Sequence, residues 1–145
     1  MNYYNRKRFY PKKPVKTFQD LDVYQQSSSL AVAIAKNITV SLSVTAEELV
    51  QTALNIPKLL ATAHSIRFGR TAKSIDTLEE AMLSCNLVVV YLEQYRDLDN
   101  PTKDEPYHLP ADFFDTKVKE YLRLRTKIMR LQKAWLKFVE KKQDN

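Results

Sequence analysis

Hydrophobic residues recur every three or four positions in four segments of the chain, the spacing that places them on one face of an α-helix. The first segment predicts a helix over residues 18–38, with Thr17 as its N-cap and Asp20 near its positive end. Its expected buried positions are Phe18, Leu21, Tyr24, Ala31, Ile34, Ala35 and Ile38.

The second helix is indicated by the sequence TAEE, because Thr45 and Glu48 have the spacing of a capping box. Pro57 lies inside the helical pattern and predicts a kink, because proline lacks the backbone donor. Gly69 is expected to end the helix. The expected apolar face consists of Leu49, Ala53, Ile56, Leu60 and Ala63.

Two further helices follow. Ser74 is the expected N-cap of the third helix, which should end before the polar, proline-containing loop at 97–106. The fourth helix should begin near Pro110 and run to about Lys142. The expected buried stripe of the third helix consists of Ile75, Leu78, Met82, Cys85, Val89 and Leu92.

Four amphipathic helices joined by short loops predict an all-α fold, an antiparallel four-helix bundle, over residues 17–145. Residues 1–16 show little apolar periodicity and are expected to form a flexible basic arm. The single glycine of the 145-residue chain agrees with few tight turns. It also excludes Gly-rich phosphate loops and dinucleotide fingerprints.

Residues for catalysis or metal binding are sparse. His64 and His108 fall in different elements, and neither has a cysteine or carboxylate at ligand spacing. Cys85 is the one cysteine, so no intramolecular disulfide can form, and its place on the apolar stripe makes it an expected core residue. We therefore expect neither enzyme activity nor a metal or cofactor.

Charge is distributed unevenly. The net charge is +6, but residues 1–16 carry +6, residues 17–116 carry −7 and residues 117–142 carry +8, with Asp144 adding −1. Two basic ends around an acidic middle indicate a polyanion or an acidic protein as the partner.

On a helical wheel the fourth helix separates into two faces. Cations cover the outer face, and almost no acid lies four residues away to pair with them. A solvated face, a contact with an acidic protein and a surface that follows nucleic-acid phosphates all fit this pattern. The cations on this face are Lys119, Arg123, Arg130, Lys133, Lys137 and Lys141.

The apolar arc of the same helix is broader than one bundle contact requires, which predicts homo-oligomerisation. The arc contains Tyr121, Leu124, Ile128, Leu131, Trp135, Phe138 and Val139, extended by Val118, Met129 and Leu136. Arg125 sits inside it and is expected at a bundle edge or a subunit interface.

The apolar runs are too short to span a bilayer, and the basic N-terminal residues are not followed by the apolar segment of a signal peptide. With one cysteine, these features favour a cytoplasmic protein that does not contact membranes.

Two stretches resemble a known family, the small bacterial four-helix-bundle proteins encoded in intervening sequences of large-subunit ribosomal-RNA genes. That family begins its first helix with Phe-x-Asp-Leu-x-Val-Trp-Gln, and this chain has Tyr24 in place of the Trp. The family's Asn-Ile-Ala-Glu-Gly segment is replaced here by LLATAH. The matching residues are Phe18, Asp20, Leu21, Val23 and Gln25, then Ile56, Pro57, Gly69 and Arg70, with Glu80 as a possible further match.

The same fold group includes the accessory variability determinant (Avd-like) proteins of diversity-generating retroelements, which this chain resembles in size, helical pattern and basic character over residues 17–142. The resemblance implies a bundle that assembles into a homopentameric ring and binds nucleic acid and a reverse transcriptase. The missing segment and the basic fourth helix favour this branch over the ribosomal-RNA branch.

The expected function is therefore that of a non-enzymatic RNA-binding accessory protein. It would hold RNA or an RNA–DNA hybrid beside a reverse transcriptase and support mutagenic retrohoming. The alternatives are a structural bundle of the ribosomal-RNA type and an adaptor for an acidic protein. Beyond the cations of the fourth helix, a mobile clamp is expected from Arg6, Lys7, Arg8, Lys12 and Lys13.

Overall fold

A computed structural model describes residues 14–40 and 43–143, with side chains through Glu140. These residues form one 3-10 turn and four α-helices, with no strand among them. The helices are α1 (Asp22–Asn37), α2 (Val44–Ile66), α3 (Thr71–Leu98) and α4 (Ala111–Gln143). The prediction of an all-helical, four-helix bundle is confirmed.

Each helix packs against the next one along the chain, and α1 also packs against α4. At one end of the bundle the Ser43 hydroxyl, which precedes α2, donates a hydrogen bond to the carboxylate of Asp99, which follows α3. At the other end the Gln132 side chain of α4 donates to the Ile75 carbonyl of α3. The largest fully buried side chains come from all four helices and include Ile34, Leu49, Ile56, Leu60, Leu78, Leu92, Tyr95, Phe114, Tyr121, Leu124 and Ile128.

The first predicted helix is two elements. Thr17 does act as an N-cap with Asp20 as its capping-box partner, but they cap a 3-10 turn, Phe18–Asp20. Leu21 is extended, with ψ of 124°, and α1 starts only at Asp22. Ala35, expected in the core, is exposed, because the buried face of α1 centres on Val23, Ser27, Leu30, Ala31 and Ile34.

The N-cap of α2 is Ser43 and not Thr45. The Ser43 hydroxyl accepts the backbone N–H of Ala46 at 3.1 Å. Thr45 lies inside the first turn, and its hydroxyl donates to Asp99. The predicted capping box is therefore wrong, and Glu48 instead accepts a hydrogen bond from the Tyr91 hydroxyl of α3.

The turn between α2 and α3 also differs from the prediction. α2 runs through Pro57 and ends at Ile66, three residues before Gly69, which does not have a positive φ. α3 begins at Thr71, so Ser74 is not its N-cap. Ser74 is buried, and its hydroxyl donates to the Ala63 carbonyl at 2.8 Å, which ties the two helices together.

α4 is much longer than α1, with 33 residues against 16. The first residue of α1, Asp22, pairs with Lys127 of α4 at 3.1 Å. The half of α4 that follows Lys127 therefore has no α1 neighbour. Beyond Ile128 no described residue of α4 is buried, and Phe138, predicted on the inner face, is 54% exposed.

Candidate nucleic-acid interface

The outer face of α4 carries the predicted line of cations. We call Lys119, Arg123, Arg130, Lys133 and Lys137 the basic stripe; all five are exposed. Tyr121, Leu124 and Ile128 hold the helix in the core on its opposite side. At 1.5 Å per residue the stripe extends for about 27 Å. α4 therefore presents these charges to solvent on one rigid element.

Ion pairing separates the stripe from the other cations of α4. Lys117 pairs with Glu120 at 3.6 Å, and Lys127 pairs with Asp22 at 3.1 Å. Within the described side chains, no ion pair involves a member of the basic stripe. The stripe thus keeps its full positive charge for a partner, as the scarcity of acids in the sequence predicted.

Some of the predicted site lies outside the described residues. This applies to Arg6, Lys7, Arg8, Lys12 and Lys13 of the arm and to the side chain of Lys141. The described chain brings together only the five residues of the basic stripe.

A polar groove runs between α1 and α4. Its cavity of about 470 Å³ is lined by Asp22, Gln25, Gln26, Ser29, Glu120 and Arg123, among others. Arg123 is the stripe residue that borders it. The amides can donate to or accept from a sugar or base edge. The two carboxylates are paired with Lys127 and Lys117, which also line the groove.

Arg125 occupies the α3–α4 seam, in agreement with its expected bundle-edge position. Its Nε is buried without a hydrogen-bond partner among the described residues, and so is the Tyr121 hydroxyl. Burial raises the pKa of Cys85 to about 12, which the nearby Arg125 guanidinium partly offsets. Cys85 is fully buried and stays a protonated core thiol.

The sequence interpretation missed an aromatic site where the α2–α3 turn meets the uncovered half of α4. We call it the aromatic corner: a cavity of about 410 Å³ lined by Arg67, Phe68, Thr71, Ser74, Ala134, Trp135, Phe138 and Val139. The sequence carried a signal for this site, because Trp135 and Phe138 neighbour the stripe residues Lys133 and Lys137 along the chain. The helical spacing of the two aromatic residues was interpreted as a contact with the bundle core and with a neighbouring subunit.

The aromatic corner is organised around Arg67. Its guanidinium carbon lies 4.2 Å from the ring centroid of Phe68, a cation–π contact. Its Nη1 donates to the His64 carbonyl at 2.5 Å and lies 3.2 Å from His64 Nδ1. Arg67 is thus fixed in place before any ligand arrives.

His64 is buried next to Trp135, one of the residues that line the aromatic corner. It is 6% exposed, and its ring centroid lies 6.4 Å from that of Trp135. Burial lowers the pKa of His64, the positive charge of Arg67 lowers it further, and Asp20 acts in the opposite direction. The ordinary pKa of a histidine is 6.5 and that of His64 is lower, so its imidazole is neutral at pH 7.

A second uncovered surface is apolar and lies on the outer side of α3. Leu83 is 58% exposed, Leu87 36% and Val90 44%, and these residues recur at helical spacing along one line. Leu122 of the adjacent α4 is 46% exposed. We call Leu83, Leu87 and Val90 the α3 apolar face; α3 is therefore hydrophobic on two sides.

The described residues hold no group of three or more His, Cys, Asp or Glu side chains that could bind a metal ion. His108 is far along the chain from His64, and its Nδ1 lies 2.7 Å from the Pro101 carbonyl. None of the described helices has both the length and the apolar composition needed to cross a membrane.

Searches against protein-family models, curated proteins and solved structures return no match to this chain. The functional assignment therefore rests on the geometry above and on the resemblance in the sequence.

Proposed function

We propose that this chain is a non-enzymatic nucleic-acid-binding protein, an accessory factor of a diversity-generating retroelement. In this role it holds RNA or an RNA–DNA hybrid beside a reverse transcriptase in the cytoplasm. The observation that carries the proposal is the basic stripe, five exposed cations without an ion pair among the described side chains.

The length of the stripe suits a nucleic-acid backbone. A duplex strand places one phosphate per 3.4 Å of axis, so about 27 Å of α4 faces roughly eight phosphates of one strand. Cations that contact phosphates release counterions and supply affinity without reading base sequence. The middle of the chain is acidic, which orients the polyanion toward α4.

Salt dependence tests this contact. With five phosphates neutralised, log K for a duplex should fall against log salt with a slope of about −4.5. The variant Lys119→Glu/Arg123→Glu/Arg130→Glu should abolish binding in fluorescence anisotropy near physiological salt. If the parent protein binds neither RNA nor an RNA–DNA hybrid even at low salt, the proposal is wrong.

A matched control separates the stripe from net charge. Lys36→Glu/Lys58→Glu/Lys103→Glu changes the charge by the same amount at exposed positions on other elements. It should keep most of the affinity. Equal loss in both triple variants would show that overall charge, and not the stripe, governs binding.

The reverse-transcriptase partner rests on the resemblance to the Avd-like proteins. A reverse-transcriptase gene and a repeat pair beside this gene are expected in the genome. Co-expression with that reverse transcriptase should yield a complex that survives nuclease treatment. A gene located inside a ribosomal-RNA intervening sequence would instead favour the structural-bundle alternative.

The proposal includes a homopentameric ring. The α3 apolar face supports self-association, because monomeric proteins seldom expose a continuous apolar line of this kind. Leu83→Glu/Leu87→Glu should convert the assembly to monomers in sedimentation velocity. Leu54→Glu, at a 39% exposed position of α2, is the control. A monomeric parent protein would rule out the ring.

A further inference from the structure

The aromatic corner has a ligand chemistry that phosphate binding does not explain. We propose that it binds an unstacked base of single-stranded nucleic acid, between the rings of Phe68, Trp135 and Phe138 and the guanidinium of Arg67. This inference rests on the proposed nucleic-acid binding but adds a distinct site and a preference for single strands.

The geometry follows from the unequal helix lengths. α1 begins opposite Lys127, so the half of α4 that follows has no α1 residues against it. Its aromatic side chains line a cavity of about 410 Å³ instead of packing under α1. Phe68 is 69% exposed and Phe138 is 54% exposed, so both rings are accessible from solvent.

The chemistry of the lining fits a nucleobase. Bases stack on aromatic rings and on guanidinium planes, and each stacked base contributes to single-strand affinity without regard to sequence. Arg67 is already held by the His64 carbonyl and by the face of Phe68. A preorganised guanidinium loses little freedom when a base stacks on it.

The charge around the corner selects a nucleic acid over an apolar ligand. Ala134 lines the cavity and lies one helical turn from both Arg130 and Lys137 of the basic stripe. Arg70 and Lys73, both exposed, flank the residues that line it from α3. A strand whose phosphates follow the stripe can therefore place a base in the cavity without leaving the cations.

Trp135 is the only tryptophan of the chain, so its emission reports on the corner directly. Single-stranded oligo(dT) and oligo(dA) should quench that emission at low salt, because a stacked base contacts the indole or its neighbours. A duplex with the same number of phosphates should bind the stripe with little quenching. Equal quenching by both would overturn the inference.

The variants Phe68→Ala and Phe138→Ala test the stacking itself. Each should weaken single-strand binding by about 5- to 100-fold and leave duplex affinity and the salt slope unchanged. Because Phe68 is mostly exposed, its replacement should leave the fold intact by circular dichroism. Tyr107→Ala, at a 74% exposed ring in the α3–α4 loop, is the matched control.

Other outcomes assign the corner to a different occupant. If oligonucleotides leave Trp135 unchanged but Phe9→Ala/Tyr10→Ala alters its emission, the chain's own arm occupies the site and the inference fails. Quenching by polyglutamate alone would indicate an acidic protein. If no nucleic acid binds at all, the proposed function fails as well; duplex binding without single-strand quenching removes only this inference.

Discussion

The indole of Trp135 lies 6.4 Å from the imidazole of His64, with the two rings tilted by 51°. This contact joins α2 to the half of α4 that α1 leaves uncovered. It places a titratable group beside the one tryptophan of the chain, so the protonation of His64 can be followed by tryptophan emission.

Trp135 emission should depend on pH. Burial and Arg67 lower the pKa of His64, so the imidazole becomes charged only below its ordinary value of 6.5. A charged imidazolium quenches indole emission, and we expect a fall in fluorescence with a midpoint below pH 6.5. His64→Asn should remove the transition. His108→Asn should keep it, and a transition that follows His108 would contradict the assignment.

Stability should also fall toward acid through His64. Because its pKa is lower in the folded state than in the unfolded state, the unfolded chain binds the proton more readily. The stabilisation is complete above pH 6.5 and is lost as pH falls toward the folded pKa. Urea unfolding at pH 7 and pH 5.5 measures this loss, which His64→Asn should reduce. An unchanged difference in the variant would exclude His64 as its source.

Ser43 should contribute more to stability than an ordinary surface serine. Its hydroxyl caps α2 through Ala46 and donates to Asp99 at 2.7 Å. We expect Ser43→Ala to cost about 1 kcal/mol in the free energy of unfolding. Ser65→Ala, at an exposed hydroxyl in the last turn of α2, should be near neutral by the same urea titration. Equal effects would contradict the capping role.

The Ser43 variant should also change the acid response. The hydroxyls of Ser43 and Thr45 lower the pKa of Asp99. A carboxyl with a lowered folded pKa stabilises the fold above its ordinary pKa of 3.8 and loses that contribution as pH falls through the folded value. Ser43→Ala should therefore flatten the loss of stability below about pH 4.

Gly69 should tolerate a side chain. It does not have a positive φ, and a Cβ placed on it meets no atom within 4 Å. Alanine restricts the unfolded chain more than glycine, so Gly69→Ala should stabilise the protein by about 0.4–1 kcal/mol. Thermal unfolding followed by circular dichroism measures the shift. A clear loss of stability would show that this turn requires glycine after all.

Periodicity predicted the four helices, since each must bury one face along most of its length. The core positions Ile34, Leu49, Ile56 and Leu60 lie where the spacing placed them. The outer face of α4 was also predictable, because the cations and the apolar residues occupy opposite sides of one helix. Local chemistry therefore accounts for the architecture and the basic stripe.

Capping was less predictable, because several hydroxyl residues near one helix start are equivalent in sequence. Ser43 and Thr45 both qualify as N-caps, and only the position of Asp99 at the end of α3 determines what each hydroxyl bonds. In the same way Ser74 bonds the carbonyl of Ala63, a residue eleven positions earlier. Such partners are brought close by packing and not by spacing.

Helix length explains the difference between the predicted and observed aromatic face. The sequence by itself determined that Trp135 and Phe138 lie on the apolar side of α4. Only the tertiary structure decided that α1 starts opposite Lys127, so that α1 does not pack over those rings. A periodic pattern specifies which face is apolar, but the extent of the neighbouring helix decides whether that face is buried or remains open for a partner.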